Sequence, residues 1–212
     1  NNFPELFYIV SPGDDYGSAT WNAMMRVVEG IDNETISTGW LTENIQQGHG
    51  PLGAVYPDVA WGMEGDTPAF LSLIPNGLNN AGHPDWGGWG GRYELYKPEF
   101  SSEYRGANSG VPHEAETREI WTNAADSYSP YVSSEFGRAV RQMSQTFEGD
   151  LVTLWRWRDD FQNDFAARMD WCTKSYDEAN HPPFPKLTHP EEITVKSGER
   201  FTLDAFDTTD PD

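Results

Sequence analysis

The sequence predicts an α/β fold built on a mostly parallel sheet, and three observations predict it. Residues Leu6 to Val10 (LFYIV) form a short apolar run between Pro4 and Ser11-Pro12-Gly13, the pattern of a strand buried on both faces. Ser18 to Glu29 then places Trp21, Met24, Met25 and Val28 on one helical face. Strand, turn and helix in that order make the repeating unit of such folds. In the third place, Leu151 to Lys174 carries Trp157, Phe161, Phe165 and Met169 at four-residue intervals, with Arg156, Asp159, Asp160 and Asp164 mostly on other faces. A lone strand–helix unit cannot close a sheet, so partner strands are expected from elsewhere.

Between these elements the chain reads as follows. Thr38 to Gln47 gives a short helical pattern, ended by Gly48-His49-Gly50-Pro51. Asp66 can cap a second helix in which Pro68 is tolerated in the first turn and Phe70, Leu71 and Ile74 follow at helical spacing. Pro75-Asn76-Gly77 stops it. Asn79 to Gly110, rich in Gly, Trp, Tyr and Pro, reads as a long loop with functional content, because loops of that length are uncommon in compact domains. Residues 181–190 are proline-rich and read as a linker between a first domain (1–180) and a second (191–212). In the second, Glu192 to Leu203 alternates apolar and polar residues around Ser-Gly, a hairpin signature that reads as the start of a β-sandwich.

Composition narrows the class. Aromatic residues make up 14% of the 212, which separates this chain from disordered ones and calls for a packed core. The formal net charge of -20 repels nucleic-acid phosphates and anionic membrane surfaces. Cys172 is the only cysteine, so no internal disulfide forms, and its neighbours Met169 and Trp171 predict a buried thiol. No apolar run approaches the roughly 18 residues of a membrane span. The chain opens at Asn1-Asn2 with neither an initiator Met nor a signal peptide, as a processed or truncated chain does.

Several groups can carry chemistry. Asp14 and Asp15 follow the first strand, where ligands gather in open parallel sheets, although Pro-Gly-Asp-Asp is equally a turn former. His49 and His83 sit in Gly/Pro-rich loops, positions from which an imidazole can reach a cleft or simply face solvent. His113, His181 and His189 are spaced too irregularly for a zinc motif. The most distinctive stretch is Asp85-Trp86-Gly87-Gly88-Trp89-Gly90-Gly91-Arg92-Tyr93. Glycines let backbone approach a ligand, indole faces stack on the C–H face of sugars, and Arg92 can pair with an acidic sugar. A Trp-anchored loop packed on its own domain is the alternative.

The segments FPELFYIVSPGDDYG, GHGPLGAVYPD, MEGDTPAFLSLIPNGL, HPDWGGWGGRYELYKP, WRWRDDFQNDFAARMDWC and ANHPP resemble the nucleoside hydrolase-like domain of secreted proteins described as cellulose-binding. VKSGERFTLDAFDTTDPD is similar to the start of the immunoglobulin-like domain that follows it there. The resemblance implies that this sequence begins near the middle of the first domain and stops inside the second. A missing N-terminal half would then supply the first strands and an early Asp cluster. Asp66 stands near the later aspartate that completes a calcium site in nucleoside hydrolases, and a simple helix cap is its other reading.

The implied protein works outside the cytoplasm, secreted or periplasmic, on plant or algal polysaccharide fragments, and cleaves glycosidic bonds. Glu64, His49 and His83 are the candidates for proton transfer, and Asp14, Asp15, Trp86, Trp89, Arg92 and Tyr93 for substrate contact. Calcium would be held by Asp66 jointly with the missing half. Two rivals stand beside this reading. One is a polysaccharide lyase in which Arg92 neutralises a uronate, and the other a non-catalytic protein that grips polysaccharide through the Trp/Gly loop.

Overall fold

The computed structural model describes residues 7, 9–10, 27–28, 31, 33–60, 68–96, 119–133, 140–142, 145–190 and 192–212. Their architecture is mixed α/β, organised around one long helix. Strand β1 (Ile9–Val10) and strand β2 (Tyr93–Tyr96) flank strand β3 (Ile120–Asn123) in a three-stranded sheet. β1 runs parallel to β3 with Ile9 opposite Trp121, while β2 runs antiparallel with Tyr93 opposite Asn123. Two further ladders are antiparallel: β4 (Asp126–Tyr128) with β7 (Phe147–Gly149), and β5 (Tyr131–Ser133) with β6 (Val140–Gln142). A mostly parallel sheet is therefore not what the described residues form. Among the described strands only β1 and β3 pair in parallel, and the strands after β3 are close enough in sequence to fold back on one another.

The first described helix, α1 (Thr38–Leu41), starts where Ser37 Oγ accepts from the Trp40 amide at 3.1 Å, then widens into a π-helical turn through Gln46. Gly48, at φ +83°, ends it. Helix α2 (Gly50–Val55) follows, and Pro68–Leu73 forms a 3₁₀ turn where a longer helix is predicted. Helix α3 (Val152–Trp171) is the scaffold. Phe161 and Met169 bury themselves with Leu41, Ile45, Leu71 and Trp89, and Trp157 and Phe165 pack partly buried against the same cluster. The N-terminal turns of α3 bury Val152, Leu154 and Trp155 with Leu151, Val28 and Ile31. Full burial of each such side chain stabilises the fold by about 1.5–3 kcal/mol, so α3 holds two half-cores together.

Between the two clusters lies a polar joint. Arg158 is fully buried and its Nη2 donates to Asn33 Oδ1 at 2.8 Å. Gln162 Nε2 donates to the Thr35 carbonyl at 2.8 Å, and Thr35 Oγ1 donates to Asp159 Oδ1 at 3.0 Å. Burying a guanidinium is tolerable only when its donors are met by acceptors. The joint thereby sets the register of residues 33–35 on the helix.

Two further expectations differ from the structure. Cys172 is exposed, because it is the cap residue just past the last turn of α3, and Met169, one turn earlier, takes the buried position. Residues 192–203 form no ladder. Ile193, Val195, Phe201, Leu203 and Phe206 are exposed, and only an isolated antiparallel bridge joins Phe184 to Thr209. An alternating pattern forms stable strands only against a layer that covers its apolar face, and the described residues supply none there. Among the described residues no helix is long and apolar enough to cross a membrane.

Candidate functional site

The chain from Leu71 to Tyr93 folds back on itself through one side chain. Asn79 Nδ2 donates to the carbonyls of Leu71 and Ile74, both at 2.9 Å. The returning strand passes so close that a Cβ on Gly88 would stand 2.2 Å from Asn79 Oδ1, and one on Gly90 would stand 2.8 Å from the Ser72 amide nitrogen. Only glycine fits at either point. Trp89, between them, drops into the core with 9% of its surface exposed and meets Phe161 edge-on, ring centroids 6.4 Å apart.

That anchor fixes what stands outside. Pro84–Trp86 is a 3₁₀ turn, and Gly87 leaves it at φ +81°. Trp86 is left 60% exposed, stacked on the His83 imidazole with centroids 4.0 Å apart and planes 5° from parallel. Asp85 Oδ1 lies 4.0 Å from His83 Nδ1. Beside this stacked pair opens a cleft of about 100 Å³ between Phe7, Ser72, Asn80, His83, Pro84 and Tyr93.

The other predicted residues are dispersed. Tyr93 is buried, its hydroxyl donating to the Gly90 carbonyl, and desolvation pushes its pKa up to about 12. It walls the cleft and is not free to titrate near neutrality. A pKa raised by folding means that the folded state holds the proton more tightly. The stabilisation is fully present below pH 10, the ordinary tyrosine value, and disappears as pH rises toward about 12. Wild-type protein should accordingly lose about 2–3 kcal/mol between those pH values through this group. Urea melts at a series of pH values should show a shallower alkaline slope in Tyr93→Phe, and equal slopes would refute the assignment.

Arg92 Nη1 lies 3.7 Å from Asp126 Oδ1, and Asp126 Oδ2 accepts from Thr153 Oγ1 at 3.0 Å. The guanidinium thus has a carboxylate of its own. His49 is buried away from the cleft lining, with Nδ1 3.3 Å from Asp170 Oδ1, and Lys174 Nζ lies 2.6 Å from the other oxygen of that carboxylate. Asp14, Asp15, Glu64 and Asp66 lie outside the described residues. No group of three or more His, Cys, Asp or Glu among the described residues is placed to hold a metal ion. The partners that sequence reasoning missed are Asp126 and Asp170, which contact their mates only through the tertiary fold and leave no local signal.

Residues 1–93 match the family model described as cellulose-binding Sde182, nucleoside hydrolase-like domain. Among solved structures, a nucleoside hydrolase-related hypothetical protein from Saccharophagus degradans, associated with carbohydrate metabolism, is similar at 28% identity and a TM-score of 0.58. This chain has a nucleoside hydrolase-related fold neighbour. The likeness covers 99% of this chain and 41% of that protein, so the chain spans about two fifths of its neighbour's length. No curated protein matches the chain. The family match takes in His49, His83, Trp86, Trp89, Arg92 and Tyr93 together with the four residues outside the described set.

Proposed function

We propose that this protein is carbohydrate-directed and grips neutral polysaccharide across the stacked Trp86–His83 pair. The single observation behind the reading is an indole left largely exposed, stacked on the His83 ring and set three residues before the buried Trp89. A preorganised aromatic face loses little entropy when a sugar stacks on it, and its C–H contacts suit the apolar face of a pyranose. Likeness to a cellulose-binding family model and to a protein associated with carbohydrate metabolism supports the same class. An insoluble glycan lies outside the cell, so a secreted or periplasmic location belongs to the reading.

Charge selects the kind of glycan. A net charge of -20 disfavours uronate and sulfated polymers, and Arg92 already faces Asp126. A lyase would need that cation for a substrate carboxylate, so the lyase reading gains nothing from the geometry. Glycosidic-bond hydrolysis is the second reading, favoured by the nucleoside hydrolase-like match. It rests on Asp14, Asp15, Glu64 and Asp66, with His83 at the cleft as the described candidate for proton transfer. Calcium, if Asp66 helps to hold it, would orient sugar hydroxyls there, and nothing in the binding reading depends on it.

The test is retention on insoluble cellulose. Trp86→Ala should lower the bound fraction at least about tenfold, equivalent to about 1.4 kcal/mol. An exposed ring contributes little to folding, so stability should change by no more than about 0.5 kcal/mol. Unchanged retention would remove the platform from the binding surface. Release of reducing ends over long incubation would add hydrolysis to binding, and an unsaturated product absorbing in the ultraviolet would instead revive the lyase.

A further inference from the structure

Gly87, the residue that leaves the platform turn, lies in a cradle of side chains from separate segments. Its amide closes the turn by donating to the Pro84 carbonyl at 3.4 Å, one residue after the Trp86 amide donates to the His83 carbonyl at 3.1 Å. The backbone there stands at φ +81° and ψ 173°, a region that glycine alone takes without strain. A Cβ on Gly87 would meet Arg92 Nε at 3.5 Å and Thr153 Cγ2 at 3.6 Å, so these two side chains close over the space beside the glycine. Arg92 stands just before β2, and Thr153 lies in the first turn of α3.

Asp126, at the start of β4, joins the two. Its Oδ2 accepts from Thr153 Oγ1 at 3.0 Å, and its Oδ1 accepts from the Ser127 amide at 2.8 Å and lies 3.7 Å from Arg92 Nη1. The Ala124 amide donates to the Arg92 carbonyl at 2.9 Å, which holds the two chain segments side by side. The carboxylate is 13% exposed and the guanidinium 38%, so salt screens this pair less than one in open solvent. Arg92 Nε is buried and has no hydrogen-bond partner among the described residues, which leaves the Asp126 charge to hold the guanidinium in place. Thr153 is buried and rides on α3, the same helix whose Phe161 meets Trp89. Through Gly87 the exposed indole of Trp86 is thereby tied to the scaffold, as a preorganised contact requires.

We infer that Asp126 is a positioning residue for the binding platform: by holding Arg92 and Thr153 beside Gly87, it sets the outward pose of Trp86 on His83 without touching the polysaccharide. The inference rests on the platform reading, and two readouts keep their failures apart. The first is retention on insoluble cellulose. Asp126→Ala should lower the bound fraction by about threefold, less than Trp86→Ala does, because the ring remains but is no longer preorganised. The second is the proton NMR spectrum of the His83 ring, assigned with His83→Ala and recorded without polysaccharide. An indole stacked 4.0 Å away shields the His83 ring protons, so Trp86→Ala should move them downfield. Asp126→Ala should move them part of the way. Asp126→Asn, which keeps an acceptor for Thr153 but not the charge facing Arg92, should move them less. With retention lost in Trp86→Ala, full retention in Asp126→Ala overturns the inference, and so do His83 signals left at their wild-type positions. Should Asp126→Ala fail to fold by circular dichroism, Asp126→Asn and Thr153→Val decide by the same criteria. Should Trp86→Ala itself keep full retention, the platform reading fails, and the His83 signals alone decide whether the cradle sets the ring.

Discussion

Replacing Asn33 by Ala should destabilise the protein by about 3–5 kcal/mol, among the largest losses available to one substitution. The side chain closes four hydrogen bonds. Its Oδ1 accepts from the Val28 amide at 3.0 Å and from Arg158 Nη2 at 2.8 Å, and its Nδ2 donates to the Val28 and Ile31 carbonyls at 3.0 and 2.8 Å. Alanine leaves a fully buried guanidinium short of an acceptor and backbone groups unmet, and each unmet buried group costs about 1–3 kcal/mol. Asn33→Asp keeps the acceptor toward Arg158 but loses both donated bonds, so it should fall between wild type and Ala. Urea unfolding monitored by tryptophan fluorescence gives the comparison. A loss under about 1 kcal/mol for Asn33→Ala would mean that the joint between residues 28–35 and α3 is not what orders the fold.

Trp89→Ala should cost a similar amount, about 3–5 kcal/mol, through the cavity it leaves against Phe161, Leu41 and Leu71. It should contrast sharply with Trp86→Ala, three residues earlier. One variant unfolds in less urea and, while folded, still binds polysaccharide weakly because its platform has lost the anchor. The other melts like wild type but is retained on cellulose at least about tenfold less. Should the two variants behave alike in both assays, the division between anchor and platform is wrong. The distinction matters because both indoles, taken as sequence, are equal candidates for sugar contact. Alternation of Trp with Gly-Gly says that a backbone runs close to something. Whether that neighbour is a ligand or the protein itself is decided by where Ser72 and Asn79 stand.

The site was legible in part for the same reason. His83 and Trp86 were visible as members of a Gly/Pro-rich loop, and the structure brings them into one stack. Arg92 and His49 were visible as chemistry-bearing types, yet each faces a carboxylate distant in sequence, which turns a prospective substrate contact or proton-transfer group into one side of an internal pair.

What the sequence determined by itself was the set of elements with a strong local cause. The four-residue apolar spacing makes α3, and the Gly48-His49-Gly50 run ends the preceding helix. What only the tertiary structure decided was strand direction, the exposure of Cys172, the fate of the 192–203 alternation, and which of two tryptophans faces solvent. Periodicity reports that a residue wants burial. Which surface supplies that burial is a property of distant chain segments arriving together, and a one-dimensional pattern carries no record of their arrival.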